Sequence, residues 1–144
     1  GHSFGGLIAQ EQQPIFLGRI PDAWKPAIDL QRDMYYAALE HLMPGQPFAQ
    51  FMDLVNSFGE KRGMKSQLLM HGRGYGDDGP LFTPQNRGGR NRDLLIEKDC
   101  VFIVKPIAHS ADGTFDTSWG GCVLVTENGG EPLVKRTPGM VSIT

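Results

Sequence analysis

The chain has 144 residues, with 14 Lys and Arg against 16 Asp and Glu and a net charge of −2. That length suits one domain over residues 1–144. The 40% hydrophobic and 21% charged content excludes a disordered chain. The acidic balance excludes strong nucleic-acid binding through overall charge, and no apolar run approaches the ~20 residues of a membrane span.

Ser3 to Gly18 is expected to form two strands, SFGGLIAQ and QPIFLG, separated by Glu11 and Gln12. Gly5 and Gly6 weaken the first strand or mark a bulge. Asp22 to Leu42 carries the longest helical pattern. Trp24, Ala27, Ile28, Tyr35, Ala38, Leu39 and Leu42 recur at spacings of three and four, with charged residues largely between them. Pro26 is tolerated only in a first turn, so the helix proper starts near Trp24 and ends at Met43-Pro44-Gly45. A second helix is predicted from Pro47 to Arg62, with Phe48, Phe51, Met52, Val55 and Phe58 as its core-facing stripe and Gly63 as its stop.

After Gly63 the pattern changes. Leu68 to Met70 is a short apolar run, followed by the glycine-dense HGRGYGDDGP (His71 to Pro80) and a polar loop from Gln85 to Arg92. Cys100 to Ile107 and Gly121 to Glu127 are strands. Asn128-Gly129-Gly130 is a turn, and Pro132 to Lys135 could complete a hairpin. Strands, two helices, then strands make an α+β fold.

His71 is the sharpest chemical feature. A histidine followed by glycines can meet a ligand closely, because the glycines leave no side chain in the way. The stretch is no phosphate loop, since it lacks the Gly-Lys-Ser/Thr ending and a following helix. Asp77-Asp78-Gly79-Pro80 has the composition of a turn, and at most one of the two carboxylates would face a site. Arg87, Arg90 and Arg92 fit a solvated loop, without the aromatics of a nucleic-acid tract. Cys100 and Cys122 fit buried, inert thiols; they are too far apart for zinc-ligand spacing and have no adjacent base. With no secretory leader and no disulfide framework, the expected compartment is the cytoplasm.

Taken in order, five segments resemble the pita-bread superfamily of Xaa-Pro dipeptidase (prolidase), aminopeptidase P, methionine aminopeptidase and creatinase. They are FGGLIAQEQQPIFLG, the Ala38 to Gly45 helix end, HGRGYGDDGP, CVFIVKP and GGCVLVTENGGEPL. The resemblance implies a curved antiparallel sheet with two helices packed on one face. It also implies a partial domain, with the first strands and helix upstream of Gly1. The metal enzymes of that family hold two ions through two Asp, one His and two Glu. The first Asp would lie before Gly1 and the second falls on Gln10. The His falls on His71, the two Glu on Lys105 and Gly120, and a catalytic second His on Asp78.

Carboxylates are needed to neutralise two close divalent ions, so the expectation is no metal and no other cofactor. Creatinase-like members imply that this fold can cleave C–N bonds without metal. In that reading His71, Lys105 and Asp78 are the catalytic residues: His71 moves the proton, Lys105 stabilises negative charge and Asp78 orders the site. The alternative is a non-catalytic module that binds peptide or protein partners. The expected ligand is a peptide or small amide, with no nucleic-acid or membrane partner, and a homodimer is the assembly considered.

Overall fold

The computed structural model describes residues 2–74, 77–83 and 93–144, with His2, Asp77 and Asp78 described by their backbone alone. The segment from Ser3 to Gly18 is not two strands but four: β1 (His2–Phe4), β2 (Leu7–Ala9), β3 (Glu11–Gln12) and β4 (Ile15–Leu17). Gly5 and Gly6 carry φ of +57° and +86°. They form the two-residue turn that pairs Phe4 with Leu7, so SFGGLIAQ is a hairpin rather than one strand.

A 3₁₀ turn over Asp22–Trp24 leads into α1 (Lys25–His41), and α2 covers Phe48–Lys61. The buried stripe of α1 runs through Ala27, Leu30, Met34, Tyr35 and Ala38, and it also buries Gln31. That glutamine escapes an apolar pattern because its Nε2 donates to the Trp119 carbonyl at 3.3 Å. On α2, Phe48, Phe51, Met52 and Val55 are buried as predicted, and Phe58 packs partly buried against the same core.

β5 (Ser66–Arg73) runs through His71, and β6 (Asp77–Phe82) pairs with it. The Asp77 to Pro80 stretch is therefore strand backbone rather than a turn. A register shift between His71 and Gly72 absorbs the extra residues. Next come β7 (Val101–His109), β8 (Asp116–Ser118), β9 (Gly120–Thr126), β10 (Gly129–Pro132) and β11 (Val141–Ile143). Cys100 lies half-buried just before β7, not within a strand. Pairing of Thr126 with Gly129 makes Glu127 and Asn128 the hairpin loop. The return strand is thus Gly129–Pro132, earlier than the Pro132 to Lys135 expectation.

The central antiparallel sheet has the order β10-β9-β7-β5-β6, with β3 added to β9 and β8 to β7. Both helices pack on one of its faces. Leu68, Met70, Phe102, Val104, Ala108, Val123 and Val125 from the sheet, with Trp119 between β8 and β9, join Leu30, Met34, Phe51 and Met52 from the helices in one buried core. The expected α+β architecture is thus present, with one departure: β11 pairs parallel to β4, outside the central sheet. Among the described residues, no helix is long and apolar enough to cross a membrane.

Candidate functional site

Successive strand residues face opposite sides of a sheet. Leu68, Met70, Phe102 and Val104 face the helices, so Leu69, His71 and Arg73 of β5 and Ile103 and Lys105 of β7 share the other face. The register fixes their spacing. His71 lies opposite Ile103, and Leu69 opposite Lys105. His71 and Lys105 are therefore diagonal neighbours, about 7–8 Å apart at the backbone and within reach of a long side chain.

The next strand continues the pattern. Cys122 on β9 lies opposite Ile103. The same register brings Gly120 beside Lys105: a Cβ at Gly120 would lie 2.5 Å from Lys105 Cγ and even closer to the Val104 carbonyl oxygen. The lysine stem thus occupies the space that a side chain at residue 120 would need. Gln10, just before β3, completes the face. Its backbone N–H donates to Cys122 Sγ at 3.3 Å, and its Oε1 accepts from the Arg73 guanidinium.

His71 is 8% exposed, and its Nδ1 lies 3.0 Å from the Gly72 carbonyl oxygen. With the proton on Nδ1, that contact is a hydrogen bond and leaves Nε2 with a lone pair, the form a general base requires. Leu81 sits opposite His71 across the β5–β6 pair. Asp78 pairs through its backbone with Gly72; its side chain lies outside the described residues, as does the loop with Arg87, Arg90 and Arg92. Gln10, His71, Lys105 and Gly120 are thus gathered on one face. Arg73 was not singled out from the sequence, although a residue two places from His71 in a strand must share its face.

The thiols differ. Cys122 is buried and bonded to the Gln10 backbone, whose carbonyl accepts from its Sγ at 3.6 Å. Burial, then the nearby Glu97 and Asp99 carboxylates, raise the Cys100 thiol above its ordinary value, which keeps it protonated and unreactive at neutral pH.

The sequence matches no protein-family model and none of the curated proteins it was compared with. Solved structures do match. The X-Pro aminopeptidase of Thermotoga maritima MSB8 superposes with a TM-score of 0.80 at 19% identity, over 96% of this chain and 38% of that one. The Xaa-Pro dipeptidase of Bacillus anthracis gives 0.80 at 15%, over the same shares. The methionine aminopeptidase of Rickettsia prowazekii gives 0.74 at 19%, over 90% of this chain and 59% of that one. The chain therefore carries the fold of a partial pita-bread domain and spans well under half the length of the Xaa-Pro enzymes it matches.

The two metal ions implied by the resemblance do not fit the residues present. Gln10 offers a neutral amide already bonded to Arg73. Lys105 is a cation, and Gly120 has no side chain and no room for one. Among the described residues, no group of three or more His, Cys, Asp or Glu could hold a metal ion. One imidazole cannot neutralise two divalent charges.

Proposed function

We propose that this domain is a metal-independent hydrolase of a peptide or other C–N amide bond. His71 acts as general base and acid, Lys105 as the cation facing developing negative charge, and Asp78 as an orienting carboxylate. The observation that carries the reading is the pairing of His71 with the Gly72 carbonyl, on the face it shares with Lys105. In the proposed reaction Nε2 takes a proton from a water molecule as the water oxygen bonds to the amide carbon. The oxyanion that forms is stabilised by the Lys105 ammonium. His71 then gives the proton to the departing nitrogen as the C–N bond breaks. The peptidase names of the structural neighbours support the substrate class by analogy of fold. The two free thiols support the cytoplasm as its compartment.

A second reading has its own support: a non-catalytic module that holds peptide in the same cleft. The Lys105 stem packed over Gly120 favours it, because a carboxylate cannot return to residue 120 without moving the lysine. One experiment separates the two. The domain is assayed on a panel of dipeptides and aryl amides with and without EDTA. Hydrolysis that ignores EDTA and falls on the order of 10²–10⁴-fold in His71→Gln supports the hydrolase. Peptide binding without turnover supports the module. Activity abolished by EDTA and restored by Mn²⁺ or Zn²⁺ overturns metal independence.

A further inference from the structure

Two residues along β5 from His71, Arg73 borders a cavity of about 280 Å³ that none of the roles above uses. Leu7 and Ala9 of β2, Val101 at the start of β7, and Leu133 and Val134 beyond β10 make it largely apolar. Cys122 also borders it, and its sulfur is engaged by the Gln10 backbone, so it offers apolar surface rather than a nucleophile. A dry cavity of about 150 Å³ accepts benzene, so this volume accommodates a small organic molecule of roughly twice that size, at the low end of ligand pockets.

The charged groups on the wall are already engaged within the protein. Glu11 has its carboxylate 3.1 Å from the Arg136 guanidinium. Arg73 donates to the Gln10 side chain and makes a further interaction besides. A charged ligand would therefore lose hydration here without gaining a counter-ion. Gln10 differs, because only one end of its carboxamide is taken. A guanidinium carries donors alone, so the Gln10 atom that meets Arg73 is the carbonyl oxygen. The NH₂ end keeps two donors, and Gln10 makes no other side-chain hydrogen bond among the described residues. Gln10 itself lines the cavity. Apolar walls with one fixed, uncharged donor group suit a ligand with an apolar body and a carbonyl acceptor.

We infer that this cavity binds small uncharged carbonyl compounds, with the carbonyl oxygen accepting from Gln10 Nε2 and the hydrocarbon body against Leu7, Val101 and Leu133. The inference deepens the proposed function and rests on its reading that a peptide or amide enters this cleft. Arg73 holds the Gln10 amide rather than the ligand, and so acts as a positioning residue. It is two residues along β5 from His71, about 7 Å at strand rise. A peptide anchored through one carbonyl at Gln10 therefore extends its next unit toward the imidazole. The same carbonyl chemistry reaches the site from a free small molecule or from the backbone of a peptide.

The test uses 4-phenyl-2-butanone as probe, titrated into ¹⁵N-labelled protein. Its charged control is 3-phenylpropionate, the same shape with an anionic oxygen in place of the methyl group. The ketone is expected to bind about tenfold more tightly than the acid or better, with shifts centred on the Val101, Cys122 and Leu133 amides. Gln10→Glu keeps an oxygen for Arg73 and removes both donors, so it should weaken the ketone about tenfold. A merely structural role for Gln10, holding Arg73, would survive in the glutamate and leave the ketone's affinity unchanged. Leu133→Trp, which fills the mouth from a half-exposed position, should weaken the ketone as well. Circular dichroism melts confirm that each variant folds. Competition by N-acetyl-leucinamide supports the inference with a peptide backbone as the source; exclusion of that amide while the ketone binds supports it with a free small molecule. Acid bound as tightly as ketone, an unchanged ketone affinity in Gln10→Glu, shifts elsewhere, or no binding overturns it. Ketone binding without any amide hydrolysis leaves the inference standing and removes the hydrolase. Amide hydrolysis by a protein that does not bind the ketone does the reverse.

Discussion

The two faces of the central sheet obey different rules. Toward the helices, Met70, Val104, Trp119 and Val123 are fully buried and apolar, and they interlock with α1 and α2. Toward the cleft, the same strands present His71, Arg73, Lys105 and Cys122 beside Ile103. Each strand carries both programmes on alternate residues. The helix face therefore fixes the fold while the cleft face is free to change its chemistry. The chain keeps the architecture of its structural neighbours at 15–19% identity.

The sharpest way to break that comparison is to weaken the helix face. Trp119 is wholly buried, meets the Tyr35 ring edge-on at 4.5 Å, and donates from Nε1 to Gln13 Oε1 at 2.9 Å. Trp119→Ala is expected to cost about 3–5 kcal/mol in urea unfolding. A loss under ~1 kcal/mol would mean that this face does not carry the fold.

Gly120 comes next, because it joins the faces. Gly120→Ala pushes a Cβ into the Lys105 stem and the Val104 carbonyl, for an expected loss of about 1–3 kcal/mol. Adding Lys105→Ala should recover only part, since the backbone oxygen cannot retreat as a side chain can. Full recovery would show that the lysine alone occupies the space.

On the cleft face itself, Lys105→Met keeps the stem and removes the charge. Its unfolding midpoint should stay close to wild type while ligand binding or turnover falls. A large loss of stability with unchanged function would make Lys105 a structural residue.

The smallest effect lies away from both faces. Asp112 is held down to about 2 by hydrogen bonds from the Ser110 hydroxyl, then from the Thr114 backbone N–H and hydroxyl. Its folded value lies below its unfolded one, so its contribution is present above the ordinary carboxylate range and is lost as pH falls toward 2. Asp112→Asn should lower Tm slightly at pH 7, and the gap should close by pH 2. A gap that persists at pH 2 would deny the ionised carboxylate its role.

Legibility in the sequence followed locality. Both helices and the strands about Cys100 to Ile107 and Gly121 to Glu127 could be read, because periodicity and stop signals lie within each segment. Gln31 could not, since its burial depends on a carbonyl 88 residues away. The β1–β2 hairpin was hidden because Gly5-Gly6 fits a bulge as well as a tight turn until the backbone angles are known. At the site, the resemblance aligned Gln10, His71, Lys105 and Gly120 one by one, and strand alternation explains why they share a face. The cavity beside Arg73 was invisible, because its walls come from five separate stretches of chain.

The parallel pairing of β4 with β11 bears on the order in which the molecule comes apart. It sets Val141 beside Ile15 and is tied by a hydrogen bond from the Ser142 hydroxyl to the Gly18 carbonyl, 124 residues apart. Most of the central ladder grows between strands that are close in the chain, whereas this seam closes the longest loop in the protein and rests on exposed residues. It is the natural last step of assembly and the first to fray. The Gly18 amide, which donates to the Ile143 carbonyl, should exchange with deuterium long before the amides of β7, which makes it a built-in reporter of loosening that precedes any loss of the sheet.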